Sequence, residues 1–384
     1  MKILFLAPQP FFQERGTPIA VDLAVRVLEE EGHQVDLLTY PEGERRVFNS
    51  VRHLRTIKVP FVSNIPMGFS WKKLVYSTMM FFSALRLVVC RRYQVIHAVE
   101  EAAFIGLTLG WIFRVPYIYD MDSSLAGQLL DKKPALNSLS GILKWFEKAA
   151  IRRAEAVVAV CPALVSLARE NGAAKTLLLT DISLLDRYVP GEDITRLDNV
   201  LPGKGPLFLY VGNLESYQGI ELLLQGWAAA KKSDVQSRLV IIGGRKDHVA
   251  HFKNRCDELN IENSVALLGP RPVADLGAYL AQADVVVSPR TQGNNTPMKV
   301  YTYLDSQRPL LATAIESHTQ VLNSDFTCLV EPTPQAMGEG IIRLATDPQY
   351  RNELAKAAKI QVTKHFSHEA FRQKLVSFYQ DLKL

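Results

Sequence analysis

Short apolar runs rich in Val, Ile and Leu alternate with stretches of helical length through most of the 384-residue chain. This alternation predicts βαβ units, in which crossover helices join parallel strands, and therefore an α/β fold with doubly wound sheets. In the first half we expect strands at residues 2–7, 34–39, 56–60, 94–98, 116–120, 156–160 and 176–180. In the second half we expect them at residues 207–211, 239–242, 265–268, 285–288, 310–313 and 328–330.

Turn-forming and charged residues break this alternation at 186–206, which predicts a linker between two domains. The residues before it, 1–185, form the first expected Rossmann-like domain, and residues 207–365 form the second. At roughly 100–200 residues per domain, the chain length suits two domains with a cleft between them. The last stretch, 366–384, predicts an amphipathic helix that needs an apolar surface to cover, and the N-terminal domain is one candidate.

Composition excludes several classes of protein. With 48% hydrophobic and 22% charged residues, the chain has the composition of a folded globular protein. The four cysteines form no C-x-x-C pair, which argues against a zinc ribbon and suits a reducing compartment. No uninterrupted apolar run reaches the ~20 residues of a transmembrane helix, and the first residues lead into a strand rather than a signal peptide. We therefore expect a cytoplasmic protein.

The loops that follow strands are the candidate functional segments, because ligands of open α/β sheets bind beyond the carboxyl ends of the strands. After the first strand, Thr17 is the expected N-cap and Pro18 the first residue of a helix whose free N–H groups suit an anion. Gly16 and Thr17 are therefore candidate donor contacts, the plainer alternative being that Gly16 only allows a tight turn. After the fifth strand, Asp120 and Asp122 are candidate catalytic carboxylates, although an aspartate in such a place more often caps a helix.

In the second half, two glycine-containing loops at 211–219 and 243–245 open helices, where backbone N–H groups can meet a phosphate. Neither loop matches G-x-G-x-x-G, and the chain has no G-x-x-x-x-G-K-[ST] motif. Dinucleotide oxidoreductases and P-loop proteins therefore lose their main support. The candidate ligand contacts in the two loops are Gly212, Asn213, Gln218, Gly244 and Arg245.

The segment 288–299 is the most informative of these loops. Thr296 is its expected N-cap, Pro297 the first helical residue and Lys299 a cation in the first turn. Because the helix dipole favours anions at this end, a lysine there is unfavourable unless a bound anion compensates. The segment thus predicts a diphosphate site, the plainer alternative being that Lys299 extends into solvent. Its candidate ligand contacts are Arg290, Asn294, Asn295, Thr296 and Lys299.

These loops, in this order on two Rossmann-like halves, resemble those of the retaining GT-B glycosyltransferases of the group-four class, also described as glycosyl transferases group 1. The resemblance is carried by the stretches 32–35, 210–214, 218–220, 299–304 and 308–313. It implies a nucleotide-sugar donor bound by the second domain and a glycan or lipid-linked acceptor bound mainly by the first. It also implies transfer with retention of anomeric configuration, and we expect no metal or further cofactor.

The chain departs from this family pattern at the donor positions. An arginine and a lysine that usually clamp the donor diphosphate correspond here to Asn213 and Gln218. The usual pair of glutamates eight positions apart falls on Asn294 and Thr302, and a histidine common after a first-domain strand falls on Asp122. The resemblance is therefore to a divergent member of the family.

Two accounts fit these departures. In the first, Arg290 and Lys299 replace the missing cations, while Asn294, Thr302 and Asp305 make altered contacts with the sugar. In the second, the chain is a catalytically silent relative that binds a nucleotide or a glycan. A sugar-nucleotide epimerase on the same architecture is a third, weaker alternative.

Positive charge is concentrated in one part of the chain. Ten Lys or Arg and no acidic residue lie between Arg45 and Val99, whereas the rest has 34 basic and 39 acidic residues. Anionic lipids attract each basic residue by about 1 kcal/mol, so we expect peripheral contact with the cytoplasmic leaflet and a role in envelope or exopolysaccharide assembly. Nucleic-acid signatures do not accompany the charge. The candidate membrane contacts are Trp71, Lys72, Lys73, Arg91 and Arg92.

Overall fold

In a computed structural model, the chain divides into two compact units, Met1–Thr180 with Phe371–Leu384, and Asp181–Ala370. The structure describes residues 1–12, 16–65, 70–132, 138, 140–185, 191, 194–233 and 235–382. Of the predicted linker, 186–206, residues 186–190, 192 and 193 lie outside the described residues. Residues 194–206 belong to the second unit and include a short helix whose Leu197 is buried.

The first unit is built on a parallel sheet. Its strands are β1 (Lys2–Ala7), β2 (Gln34–Thr39), β3 (Arg52–Arg55), β4 (Val95–Val99), β5 (Tyr117–Met121), β6 (Ala156–Ala159) and β7 (Thr176–Leu178). Its helices are α1 (Gly16–Glu30), α2 (Trp71–Cys90), α3 (Ala103–Phe113), α4 (Leu125–Lys132), α5 (Ser140–Arg153) and α6 (Pro162–Glu170). Within the described residues the sheet has seven strands in the order β3-β2-β1-β4-β5-β6-β7.

The second unit repeats this architecture. Its strands are β8 (Leu207–Val211), β9 (Arg238–Ile242), β10 (Val265–Gly269), β11 (Val285–Ser288), β12 (Leu310–Thr313) and β13 (Cys328–Val330). Its helices are α7 (Leu197–Val200), α8 (Ile220–Lys231), α9 (Lys246–Glu258), α10 (Leu276–Gln282), α11 (Lys299–Asp305), α12 (Glu316–Thr319), α13 (Pro334–Thr346) and α14 (Pro348–His365). The described strands pair in parallel in the order β10-β9-β8-β11-β12-β13. The predicted α/β fold with two doubly wound sheets is confirmed.

One predicted strand is wrong. The apolar, β-branched residues 56–60 suggested a strand, but β3 ends at Arg55. Arg52 of β3 donates to the Asp36 carboxylate of β2 at 2.5 Å, and the two residues are register partners. Ile57 is exposed, and Pro60 has no N–H to donate to a ladder. The edge strand therefore lies at Arg52–Arg55, where the ion pair joins it to β2, and not at the apolar residues 56–60.

Helices α2, α3 and α5 cover one face of the first sheet. Met80 of α2, Leu109 of α3 and Ile151 of α5 belong to the same buried cluster as Tyr119 of β5. Contrary to our expectation, α2 is long and apolar enough, by length and composition alone, to cross a membrane; among the described helices it is the one that meets this test. Its charged residues lie near its ends, and one side of it is buried in the core of the unit.

The final helix, α15 (His368–Gln380), returns to the first unit from Phe371 onward. Its Tyr379 hydroxyl lies 2.7 Å from Nδ1 of the buried His97 in β4. The other imidazole nitrogen of His97 lies 3.1 Å from an Asp120 carboxylate oxygen, and the Phe5 ring stacks on the imidazole at 4.2 Å. The core of the first unit, which begins at Met1, is therefore completed by a helix from the end of the described chain.

Replacing Leu375 of α15 with Ala should lower the free energy of unfolding by about 2–5 kcal/mol, because Leu375 is fully buried and the truncation leaves a cavity. Denaturant unfolding followed by tryptophan fluorescence measures the change. Ser377→Ala, at an exposed position of the same helix, serves as the control and should shift stability by no more than about 0.5 kcal/mol. Equal effects of both substitutions would contradict the anchoring role of α15.

Candidate active site

Three loops of the second unit meet at the carboxyl ends of the adjacent strands β9, β8 and β11. Gly219 has φ of 72°, and a Cβ there would collide with the carbonyl oxygen of Pro289. Gly243 has φ of 119°, and a Cβ there would collide with the carbonyl oxygen of Gly212. Only glycine allows these close approaches, so the two residues hold the loops together as one surface.

Lys299 extends its ammonium group into this surface. Its Nζ donates to Gln218 Oε1 at 2.9 Å and to the Tyr210 hydroxyl at 3.1 Å, and it lies 4.1 Å from the centre of the Tyr210 ring. No carboxylate among the described residues forms an ion pair with it. The ammonium therefore has neutral partners only.

The surroundings of Lys299 disfavour its charged form. Loss of water around the ammonium, and secondarily the positive charge of Arg290, lower the pKa of Lys299 to about 7. A bound anion would oppose both effects and raise the pKa of Lys299, because a nearby negative charge favours the ammonium form. Lys299 is the first residue of α11, and its side chain points to the other loops. The plainer alternative from the sequence, in which Lys299 extends into solvent, is therefore not observed.

Arg290 is the second cation, and its neighbours fix its orientation. Its Nε donates to the Gln292 carbonyl at 2.6 Å, its Nη1 donates to the Asn295 carbonyl at 3.2 Å, and its guanidinium lies 5.4 Å from the Tyr217 ring centre. Gly293 has no side chain to compete for the space that the guanidinium occupies. Burial lowers the pKa of Arg290, and again no described carboxylate pairs with it.

A buried histidine beneath the cations was missed by the sequence reasoning. His318 Nε2 lies 3.0 Å from the Ser288 hydroxyl, and its Nδ1 lies 2.8 Å from the Thr313 carbonyl. Burial lowers its pKa to about 4, so the imidazole is neutral near pH 7. His318 therefore joins the ends of β11 and β12 rather than adding a third cation. The one signal available in the sequence was a polar residue ending each of these two apolar strands.

The two predicted N-caps are wrong. Helix α11 begins at Lys299 after Met298, so Thr296 and Pro297 precede it. The Thr296 side chain is buried and its hydroxyl has no hydrogen-bond partner among the described residues, so it caps nothing. Helix α1 already includes Gly16, which has no positive φ, and Thr17 is its second residue.

Several predicted contacts are already engaged within the protein. Arg245 is exposed, and its guanidinium donates to Glu215 at 2.8 Å and to Asp247 at 3.3 Å, so its charge is matched. The Thr302 hydroxyl is buried and accepts from the Leu184 N–H at 3.3 Å. Asp305 pairs with Lys359 at 2.6 Å. Arg245, Thr302 and Asp305 therefore have structural roles in these contacts. Among the charged residues predicted to contact the donor, Arg290 and Lys299 are the two without an ion-pair partner in the described part of the chain.

The remaining polar residues of the predicted set line the same loops. Asn213 is exposed and bonds within its own loop, to the Glu215 N–H and the Tyr217 hydroxyl, both at 3.3 Å. Asn294 is exposed, and its carbonyl accepts from Gln320 at 2.6 Å. Gly244 has φ of 80° and packs against the Leu214 side chain.

The candidate residues of the first unit lie in a separate body. Gly16, Thr17, Asp120 and Asp122 belong to it, whereas the other predicted donor contacts belong to the second unit. Asp120 bonds to His97 and so participates in the anchor of α15. Asp122 directly follows β5 and is half-buried. Within the described residues, no group of three or more His, Cys, Asp or Glu is placed to hold a metal ion.

The predicted membrane contacts of α2 do not form a free basic cluster. Lys73 pairs with Glu101 at 2.8 Å, and Arg91 lies 3.6 Å from an Asp36 oxygen. Lys72 donates to the carbonyl of Ser63. Trp71 and Arg92 are exposed. The sequence did not predict these partners of Lys72 and Lys73, because Ser63 and Glu101 lie outside α2.

Comparisons with known proteins extend these observations. A family model described as glycosyl transferase 4-like domain matches residues 16–179, and one described as glycosyl transferases group 1 matches residues 192–361. A D-inositol 3-phosphate glycosyltransferase of Corynebacterium glutamicum is 24% identical over 208 residues, which are 51% of this chain and 49% of that protein. The matched region thus spans about half of that relative's length.

Two solved structures are similar along nearly the whole chain. Sucrose-phosphate synthase from Thermosynechococcus elongatus has a TM-score of 0.75 at 21% identity, covering 99% of this chain and 98% of its own. The HepE protein of Anabaena in complex with UDP has a TM-score of 0.75 at 16% identity, covering 100% of both chains. Both likenesses concern the fold, two parallel sheets flanked by helices. With a family model matching each half, the chain belongs to the group 1 glycosyltransferases of the GT-B fold.

Proposed function

We propose that this glycosyltransferase moves a sugar from a nucleotide-sugar donor, held by the second unit, to a glycan or lipid-linked acceptor with retention of anomeric configuration. The observation that carries the proposal is a pair of cations, Arg290 and Lys299, that face the glycine-containing loops without a described carboxylate partner. A donor diphosphate supplies the negative charge that they lack. The UDP and UDP-glucose complexes of Anabaena HepE support a donor of this class.

The position of Lys299 accounts for the altered family motif. Gln218 stands where the family resemblance expects a lysine, and the Lys299 ammonium lies 2.9 Å from its side-chain oxygen. A positive charge is therefore present beside the substituted position, although it comes from a residue 81 positions away. We infer that the cation has moved along the sequence while keeping its place in the fold.

In the proposed reaction, the acceptor hydroxyl lies beside the anomeric carbon on the face of the leaving group. The new C–O bond forms on the face from which the donor phosphate oxygen departs, and that oxygen takes the hydroxyl proton. Negative charge grows on the diphosphate as the old bond breaks, and Arg290 and Lys299 stabilise it. Asp122, which directly follows β5 and is half-buried, is the proposed acceptor-orienting residue. A lipid-linked acceptor would suit envelope or exopolysaccharide assembly in the cytoplasm.

Replacing Lys299 with Met should weaken donor binding roughly 10- to 100-fold, because a hydrogen bond to a charged group contributes about 1.5–3 kcal/mol. Titration calorimetry with UDP-, GDP- and ADP-sugars measures the change and identifies the nucleobase. Lys356→Met removes the same charge from an exposed position of α14 and should leave the affinity unchanged. The double variant Gln218→Lys/Lys299→Met returns a cation to the family's usual position and should recover part of the affinity. Equal weakness of the single and double variants would contradict the relocated cation.

Donor affinity should fall as the pH rises above 7, by at most about tenfold per pH unit for one linked proton. Lys299 is charged below its pKa of about 7 and loses that charge above it, whereas the bound diphosphate favours the charged form. Calorimetry at pH 8 in two buffers of different ionisation enthalpy should therefore detect proton uptake on binding. Lys299→Met should show no such uptake, and an identical uptake in both proteins would exclude Lys299 as its source.

The anomeric configuration of the product separates the proposed reaction from its alternatives. Proton NMR of the transferred sugar should give the same anomeric configuration as the donor. A sugar epimerised without any acceptor would identify an epimerase instead. Donor binding without transfer across a panel of glycan and lipid-linked acceptors would favour the catalytically silent relative.

A further inference from the structure

The exposed apolar residues of the protein are concentrated on three helices. Ten of the fourteen large hydrophobic side chains that are exposed in the described residues lie on α2, α3 and α5, and only Ile360 lies in the second unit. The ten, which define what we term the helical face, are Trp71, Leu74, Phe82, Val89, Trp111, Ile112, Phe113, Ile142, Trp145 and Phe146. Large exposed apolar patches are rare on monomeric soluble proteins and mark protein, membrane or ligand interaction sites.

The three helices form one continuous layer. All of them contribute to the same buried cluster over the sheet, and α3 contacts both α2 and α5. In α2 the buried side is lined by Tyr76, Met80, Ala84 and Val88. At 100° per residue, Phe82 lies opposite Met80, on the outer side of the helix. The apolar side chains of the helical face therefore point away from the core.

The exposed charge of this layer is predominantly positive. The sequences of α2, α3 and α5 contain a single acidic residue, Glu147, which is buried and accepts from the Ser124 hydroxyl. The exposed basic residues within these helices or up to two residues after them are Arg86, Arg92, Arg114, Lys144, Lys148, Arg152 and Arg153. Glu155, two residues after α5, is the one exposed carboxylate within the same distance of these helices in the described part of the chain. An apolar surface bordered by seven exposed cations and one exposed carboxylate is complementary to an anionic lipid bilayer.

A pocket of about 390 Å³ opens between the end of α3 and the end of α5. Trp111, Arg114 and Arg153 line it together with apolar residues of α3 and β5. Neither guanidinium makes an ion pair or hydrogen bond with another described residue. Two arginines beside a tryptophan suit a phosphate group that sits at the boundary between headgroups and acyl chains.

We propose that the helical face docks on an anionic lipid bilayer and that the pocket between α3 and α5 receives a lipid phosphate. The charge pattern favours lipid over a second copy of the chain, because a two-fold contact would bring the same cations against one another. Nucleic acid would match the charge but not the exposed apolar side chains. The inference concerns the first unit alone and does not depend on the proposed donor site.

The tryptophans provide a direct test. Three of the four, Trp71, Trp111 and Trp145, lie on the helical face, and the fourth, Trp227, is buried in the second unit. Brominated acyl chains should quench the fluorescence of the full-length protein in vesicles of phosphatidylcholine and phosphatidylglycerol in equal parts. Vesicles of phosphatidylcholine alone should quench much less. Equal quenching by both, or none by either, would overturn the proposal.

Two variants locate the contact. Arg114→Gln/Arg153→Gln should weaken partitioning to the anionic vesicles by roughly tenfold or more, since each basic residue near an anionic surface contributes to binding. Lys253→Gln/Lys356→Gln makes the same change of charge at exposed positions of the second unit and should bind as the wild type does. An equal loss of vesicle binding in both variants would show that only the net charge of the protein matters, and would contradict phosphate binding in the pocket.

The apolar contribution needs its own variant. Trp145→Gln/Phe146→Gln alters two exposed side chains, so circular dichroism should show an unchanged fold while vesicle binding falls. Light scattering without lipid gives the oligomeric state of both proteins. A wild-type dimer that this variant dissociates, together with unchanged vesicle binding, would assign the helical face to self-association instead.

Discussion

An ammonium group whose described partners are all neutral is the interaction on which the proposed donor site of the second unit depends. Lys299 reaches Gln218 and Tyr210, and Arg290 lies close enough to repel it. Folding alone gives no counter-charge for these two cations within the described residues. We propose that binding of the donor diphosphate offsets the free-energy cost of placing these two cations together, because the charges that stabilise it are already in position.

The glycines of the same loops serve this arrangement. Gly219 permits the contact with the Pro289 carbonyl, and Gly243 permits the contact with Gly212. Backbone segments that touch cannot shift independently, so the loops after β8, β9 and β11 form one rigid support for the cations. The Lys299 ammonium, which comes from the segment after β11, therefore lies beside Gln218 of the loop after β8.

Local patterns predicted the strands well and the site only in part. The apolar runs at 2–7 and 207–211 are strands with the predicted bounds, since burial on both faces of a parallel sheet leaves a continuous apolar signal. The run at 56–60 failed because an ion pair between Arg52 and Asp36 fixes the edge strand elsewhere. The cap predicted at Thr296 failed because contacts between loops, and not the local sequence, set the path before α11. The pairing of His97 with Tyr379 joins residues 282 positions apart, which no local pattern reveals.

The return of α15 to the first unit has a consequence for the order of folding during synthesis. His97 and the sheet around it leave the ribosome long before Tyr379, which follows the entire second unit. The first unit therefore emerges with an uncovered groove and an imidazole without its hydroxyl partner. Its native packing is completed only by contacts between residues that are far apart in the sequence. Such contacts form late, because the chain loses the entropy of closing a long loop before the contacts stabilise the fold. Until the last helix packs, the apolar residues that α15 covers stay exposed to water, so the first unit becomes fully native only after the second unit has been synthesised.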